Sequence, residues 1–155
     1  MNKRGITKEE FYDLSALTVK MNERIAHHLV EHLDTDLTKI QIAIMMEISQ
    51  NQPLSITELS DRLNMNYGNT SSQCKVLETK SYILRKRDEA DERYVKLSIS
   101  QKGQAIVEQI DQWLENFLSK VSALYSADEW EELFHFTKAF KEMVQQSIQL
   151  LEGED

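Results

Sequence analysis

SITELSDRLNMNYGNTSSQCKVLETK, residues 55–80, decides how this chain folds. Ser55 and Glu58 stand three apart ahead of an apolar pattern, the spacing of a capping box. The serine oxygen accepts the backbone N–H of Glu58, and the Glu58 carboxylate reaches back to the N–H of Ser55. The helix so started is short, with Ile56, Leu59 and Leu63 on one side. Asn64-Met65-Asn66 reads as a tight turn, and a second helix runs from Tyr67 to about Lys80. Tyr67, Gly68, Asn69, Ser71, Ser72, Gln73 and Lys75 give it a surface of mediocre helix formers. Something other than helix stability selected them. A capped short helix, a tight turn and a polar-faced second helix form a helix-turn-helix pattern.

Downstream, Ile83–Arg87 reads as a strand, Asp88–Glu92 as an acidic turn, and Arg93–Ile99 as a second strand. Val95, Leu97 and Ile99 alternate there with Tyr94, Lys96 and Ser98, the period of a half-buried strand. A hairpin directly after the two helices makes the unit a winged helix-turn-helix. A helix has the width of a DNA major groove, and a basic hairpin tip reaches a phosphate or the narrower minor groove.

Upstream, Phe11, Leu14, Thr18, Met21, Ile25 and Leu29 mark a helical stripe within Thr7–Leu33. Thr38 is placed to cap a helix with Ile42, Met45, Met46 and Ile48 inward, and Asn51-Gln52-Pro53 reads as a loop. After Ser100, a plausible cap, Ile106, Ile110, Leu114, Phe117, Val121 and Leu124 form a heptad-like seam better suited to another helix than to water. Ser126 or Asp128 caps a last helix with Trp130, Leu133, Phe134, Phe140, Val144, Ile148 and Leu151 on its apolar face. The expected fold is mainly α with a small β-hairpin wing: a winged helix-turn-helix lobe flanked by long N- and C-terminal helices.

Charge is unevenly placed. The 155 residues carry 18 Lys+Arg against 26 Asp+Glu, a formal charge of −8. Residues 62–87 nonetheless hold six bases and one acid, Glu78. The local field, not the net charge, is what a phosphate meets. One Pro and four Gly suit long helices with few loops. The N-terminus carries no apolar run of a signal peptide, no stretch suits a membrane span, and one cysteine precludes an internal disulfide; a cytoplasmic location is expected. No phosphate-cradling glycine loop, Cys-x-x-Cys or paired nucleophile and base is present, so neither an enzyme nor a cofactor is expected.

The segment Leu37–Gly103 resembles the MarR family of bacterial transcription regulators. Asp91-Glu92-Arg93 is similar to the family's Asp-x-Arg wing signature, and Ile99-Ser100-Gln101-Lys102-Gly103 to its Leu-Thr-x-Lys-Gly start of the long fifth helix. Leu77-Glu78 followed by Ile83-x-Arg85 resembles its exit from the recognition helix, and Leu37-Thr38-x-x-Gln41 the start of its second helix. The resemblance implies a homodimer built on the first, fifth and sixth helices and bound to a pseudo-palindromic operator. It implies a dimerisation helix over 1–36, a DNA-binding lobe over 37–100 and dimerisation helices over 101–155. Phe11, Leu14, Ile110, Leu114, Phe117, Val121, Phe140 and Val144 are then dimerisation residues.

Carried over by position, Arg93 is the wing arginine directed to the minor groove, and Asp91 braces it. Asn66, Tyr67, Asn69, Ser71, Ser72 and Lys75 fall on the outer face of the recognition helix, while Arg85 and Arg87 are phosphate contacts. Thr70, Gln73, Cys74 and Leu77 take the inward slots. Ser81 departs from the family's usual Gly, at a position that often wants a left-handed backbone, and Gln73 fills a slot that is usually apolar. Members of the family commonly release DNA on binding a small molecule, an oxidant or a metal, so a ligand-responsive repressor with a small-molecule effector is expected. The rival is a winged-helix module that docks a protein partner and leaves DNA alone.

Other features read more plainly. Cys74 suits a buried packing role better than a redox sensor. His28 and His32 share a helix face but lack a certain third ligand, so no metal site is assigned. Trp113, Trp130, Phe134, Phe136 and Phe140 belong mostly to a dimer core. Asp88, Glu89 and Glu92 are a solvated turn.

Overall fold

The computed structural model describes residues 6–33, 35–87 and 95–153. The element order is α1 (Lys8–His32), α2 (Lys39–Asn51), β1 (Leu54–Ser55), α3 (Ile56–Arg62), α4 (Tyr67–Thr79), β2 (Ile83–Arg87), β3 (Val95–Ile99), α5 (Gln101–Ser122) and α6 (Ala127–Glu152). Four of these helices open on a reciprocal cap: Thr7 with Glu10, Thr38 with Gln41, Ser55 with Glu58, and Ser126 with Glu129. Each box satisfies backbone N–H groups that a helix start leaves orphaned. Of the two candidates for the last cap, Ser126 is the one used.

The chain groups into two compact units, Met1–Asp111 and Gln112–Asp155, with the boundary inside α5. The first unit is built round α2, which packs against α1, α3, α4 and β3. A helix contacted on several sides is apolar on more than one stripe. This explains why Ile44, outside the expected inward set, is fully buried beside Met45 and Ile48, while Met46 is only half-buried. Leu59 of α3, Leu77 of α4, Ile83 of β2 and Leu97 of β3 complete the same core.

The sheet has three antiparallel strands in the order β1-β3-β2. The expected hairpin is therefore joined by a short third strand, with Leu54 opposite Leu97. The register pairs Ile83 with Ile99, Arg85 with Leu97 and Arg87 with Val95. Side chains alternate across a strand, so Arg85 and Arg87 share the sheet face of Leu97, and Lys86 lies opposite Lys96 on the other face.

In the second unit, Trp113 stacks on Phe117, Phe136 on Phe140, and Trp130 donates its indole N–H to the Ser122 carbonyl oxygen at 2.9 Å. Much apolar surface stays uncovered: Leu124, Phe134, Ile148, Leu150 and Leu151 are all exposed. No helix among the described residues is long and apolar enough to cross a membrane.

Candidate nucleic-acid interface

The tight turn sets the approach of α4. Asn64 adopts a left-handed backbone (φ 49°), a conformation Asn tolerates better than most residues. Its N–H bonds Asp61 O at 3.1 Å, and the Met65 N–H bonds Ser60 O at 2.9 Å. Asn66 then caps α4, its Oδ1 accepting the Asn69 N–H at 2.8 Å.

Along α4 the sides separate cleanly. Thr70, Cys74 and Leu77, spaced i, i+4, i+7, are fully buried. Asn66, Tyr67, Asn69, Ser72 and Lys75 are exposed, and Ser71 and Gln73 are half-buried. Val76, outside the sequence-derived set, is also exposed on this helix. Gln73, the polar residue in an apolar slot, is partnered: Gln41 Nε2 donates to its Oε1 at 3.0 Å. The Cys74 thiol is pushed up to about 11, chiefly by burial. A thiol so held is inert.

The exit from α4 is a Schellman motif. Tyr82 N–H bonds Leu77 O, and Ser81 N–H bonds Glu78 O, both at 2.9 Å. Ser81 takes the left-handed position, φ 63°, where glycine is the usual occupant. Two side chains then fasten α5 to this exit, and a glycine lets it approach. Ser100 Oγ donates to Ser81 O at 2.6 Å and accepts the Gly103 N–H at 2.9 Å. Lys102 Nζ donates to Lys80 O at 2.9 Å and sits 4.1 Å from the centroid of the Tyr82 ring. Gly103 is required by contact: a Cβ there would collide with the Tyr82 carbonyl oxygen.

Some of the cations are held in ion pairs and some stand at the surface. Lys80 pairs with Asp36 at 2.8 Å and Arg62 with Glu47 at 3.1 Å. Arg85, expected to meet phosphate, is mostly covered, with its Nε 3.6 Å from Glu78 Oε2. Lys75, Lys86 and Arg87 are exposed. Lys86 is outside the sequence-derived set, and only pairing with β3 reveals which face of the strand it occupies. The wing-tip residues Asp91 and Arg93 lie outside the described residues.

Of the seam residues, Phe11 and Val144 are exposed, and Leu14, Leu114, Phe117, Val121 and Phe140 are half-buried. Ile110 is already buried within the first unit, at 3% exposure. His28 and His32 stack, ring centroids 3.6 Å apart, and His32 Nδ1 donates to the His28 carbonyl oxygen. Among the described residues no three metal-binding side chains converge. In the second unit Tyr125, Glu129, Glu132, Leu133 and Phe136 line an open depression of about 400 Å³.

A family model described as transcriptional regulator SarA/Rot matches residues 28–110. The chain belongs to the SarA/Rot family of transcriptional regulators. The match takes in α2, α3, α4, the sheet and the first half of α5. Among relatives of this SarA/Rot chain, the regulator SarZ of Staphylococcus aureus is 36% identical over 73 residues, 47% of this chain and 49% of the relative. The chain thus spans about half the length of the relatives it matches. Among solved structures, FabT of Streptococcus pneumoniae, determined in complex with DNA, aligns with TM-score 0.75 at 20% identity, over 87% of this chain and 96% of that one. Apo MarR of E. coli aligns with TM-score 0.69 at 21% identity, over 88% and 98%. The fold is therefore the MarR-type winged helix that the wing and α5 motifs suggested.

Proposed function

We propose that this SarA/Rot-family chain binds double-stranded DNA as a homodimer and acts as a ligand-responsive repressor. The observation that carries the reading is the division of α4. Three fully buried side chains fix one side of it in the core, while Tyr67, Asn69, Ser72 and Lys75 stand exposed on it. Amides and hydroxyls presented on a helix suit base edges in a major groove, and cations suit phosphates. Lys75, Lys86 and Arg87 supply that positive charge, and the MarR resemblance adds Arg93, with Asp91 as its brace. Asn66 spends its amide oxygen on the cap, so its amide N–H₂ is the end left for DNA.

Self-association is supported by the uncovered apolar side chains of α6 and of the C-terminal part of α5. Large exposed apolar patches mark interaction surfaces. In this reading residues 1–36 and 101–155 make the dimer, residues 37–100 carry the DNA contact, and Leu114, Phe117, Val121, Phe140 and Val144 lie between subunits. Two α4 helices ~34 Å apart enter successive major grooves of a pseudo-palindromic operator. The effector and the repressing sense rest on the MarR resemblance; an effector acts by favouring a spacing that does not fit the duplex.

The test is a gel-shift titration of the full chain, at rising salt, against the duplex flanking its own coding region. Specific retardation whose affinity falls linearly on a log–log salt plot is expected. Binding that is absent, or indifferent to salt, overturns the proposal.

A further inference from the structure

Gln41 touches two different elements with the two ends of one amide. It is nearly fully buried. Its Oε1 accepts the Thr38 backbone N–H at 3.1 Å, and its Nε2 donates to Gln73 Oε1 at 3.0 Å. The chemistry dictates this orientation. A backbone N–H can only donate, so the Gln41 atom facing Thr38 is its oxygen. The nitrogen is then the atom turned toward α4, and the Gln73 atom that meets it must be an oxygen. A capping box at the start of α2 therefore sets the amide of a residue on the recognition helix.

What remains of Gln73 is its Nε2. No buried side-chain nitrogen or oxygen among the described residues lacks a hydrogen bond. Gln73 is half-buried, and its one bond among them is to Gln41, so its Nε2 reaches solvent. It stands one turn from Asn69 and one turn from Val76, both exposed. A glutamine free at both ends reads adenine bidentately, accepting from N6 and donating to N7. With its oxygen committed, Gln73 only donates.

We propose that Gln41 is a positioning residue for sequence reading: it holds the Gln73 oxygen, so that Gln73 meets a base edge only as a donor and favours G or T, whose major-groove edges present acceptors and no donor, over A, whose N6 amine is left without an acceptor, and C, which offers only a donor. This rests on the DNA-binding reading above and adds which residue sets base preference and by what orientation. Gln41 itself touches no DNA.

Gln41→Glu inverts the arrangement. One carboxylate oxygen keeps the Thr38 N–H, as Glu does in other capping boxes. Ionised, as selection at mildly alkaline pH favours, its second oxygen faces α4 and accepts, so Gln73 turns to donate its Nε2 inward. Its Oε1 becomes the free end, an acceptor suited to the N4 amine of cytosine or the N6 amine of adenine.

The experiment selects bound duplexes from a randomised library with the full-length wild type and with Gln41→Glu, both first shown to be folded by circular dichroism and thermal melting. The expected result is one column per half-site that moves from G or T to C or A by roughly fivefold, the worth of a hydrogen bond. The other columns stay the same. Identical profiles that differ only in overall affinity overturn the inference and leave the DNA reading standing. If the wild type selects no sequence, the DNA reading fails and this inference with it. Should Gln41→Glu not fold, Gln41→Met, of similar volume, leaves the Gln73 oxygen unheld. That same column should then flatten, and an unchanged column overturns the inference.

Discussion

Gly103→Ala sets two physical effects against each other. Gly103 lies in the first turn of α5, and replacing a helical glycine by alanine gains ~1 kcal/mol of helix propensity. Propensity alone therefore predicts a more stable protein. The structure predicts the reverse, because the new Cβ would overlap the Tyr82 carbonyl oxygen and the Ile99 side chain. A backbone oxygen has no rotamer with which to withdraw. It also already accepts the Ser100 N–H at 3.0 Å, so any shift of Tyr82 strains that bond. Overpacking of this kind costs ~1–3 kcal/mol. The Ser100 bond is worth about 1 kcal/mol more. Set against the propensity gain, the net loss is about 1–3 kcal/mol. Urea unfolding followed by circular dichroism measures it, at fixed protein concentration because association shifts apparent stability. A midpoint equal to or above that of the wild type would refute the argument that this contact, not helix propensity, governs the position.

Arg93→Ala should weaken operator binding by about 1–3 kcal/mol in gel shift with the dimer intact by light scattering; unchanged affinity would remove the wing from the interface. Phe117→Glu places a charge in the proposed subunit seam and should halve the mass seen by light scattering; an unaltered mass would show that the seam does not join subunits. Cys74 should ignore a thiol reagent in the native protein and react once unfolded. Its pH signature has a definite sign. The unfolded thiol releases its proton near 9 and the folded one near 11, so the unfolded state holds fewer protons between them, and stability falls as pH rises through that window. Cys74→Ala should show a shallower loss there, and equal slopes would contradict the burial argument.

Features that are local in sequence could be read in advance. The Ser55–Glu58 box, the Thr38 and Ser126 caps and the turn at Asn64 each follow from residue types a few positions apart, and each is present. The left-handed backbone anticipated at Ser81 is also there, because the exit from α4 demands it whichever residue stands at that point. Features that depend on a distant partner were not readable. Gln73 looked anomalous alone, and only Gln41, 32 residues earlier, explains it. Arg85 looked like an exposed cation until the strand register put it on the face of Leu97, beside Glu78. Strand β1 is two residues long, too short to show a period of its own. On α4 the buried slots follow from helical spacing, whereas the exposure of Val76 does not, because an apolar residue on a polar helix is ordinarily taken for core.

The fastening between α4 and α5 has a mechanical meaning. Ser100 holds the Ser81 carbonyl, Lys102 holds the Lys80 carbonyl and lies on Tyr82, and Gly103 lets the backbones touch. The last turn of one helix and the first turn of the next are therefore tied together like a splinted elbow. The orientation of α4 is thus set at both ends, by the Asn64 turn where it begins and by α5 where it stops.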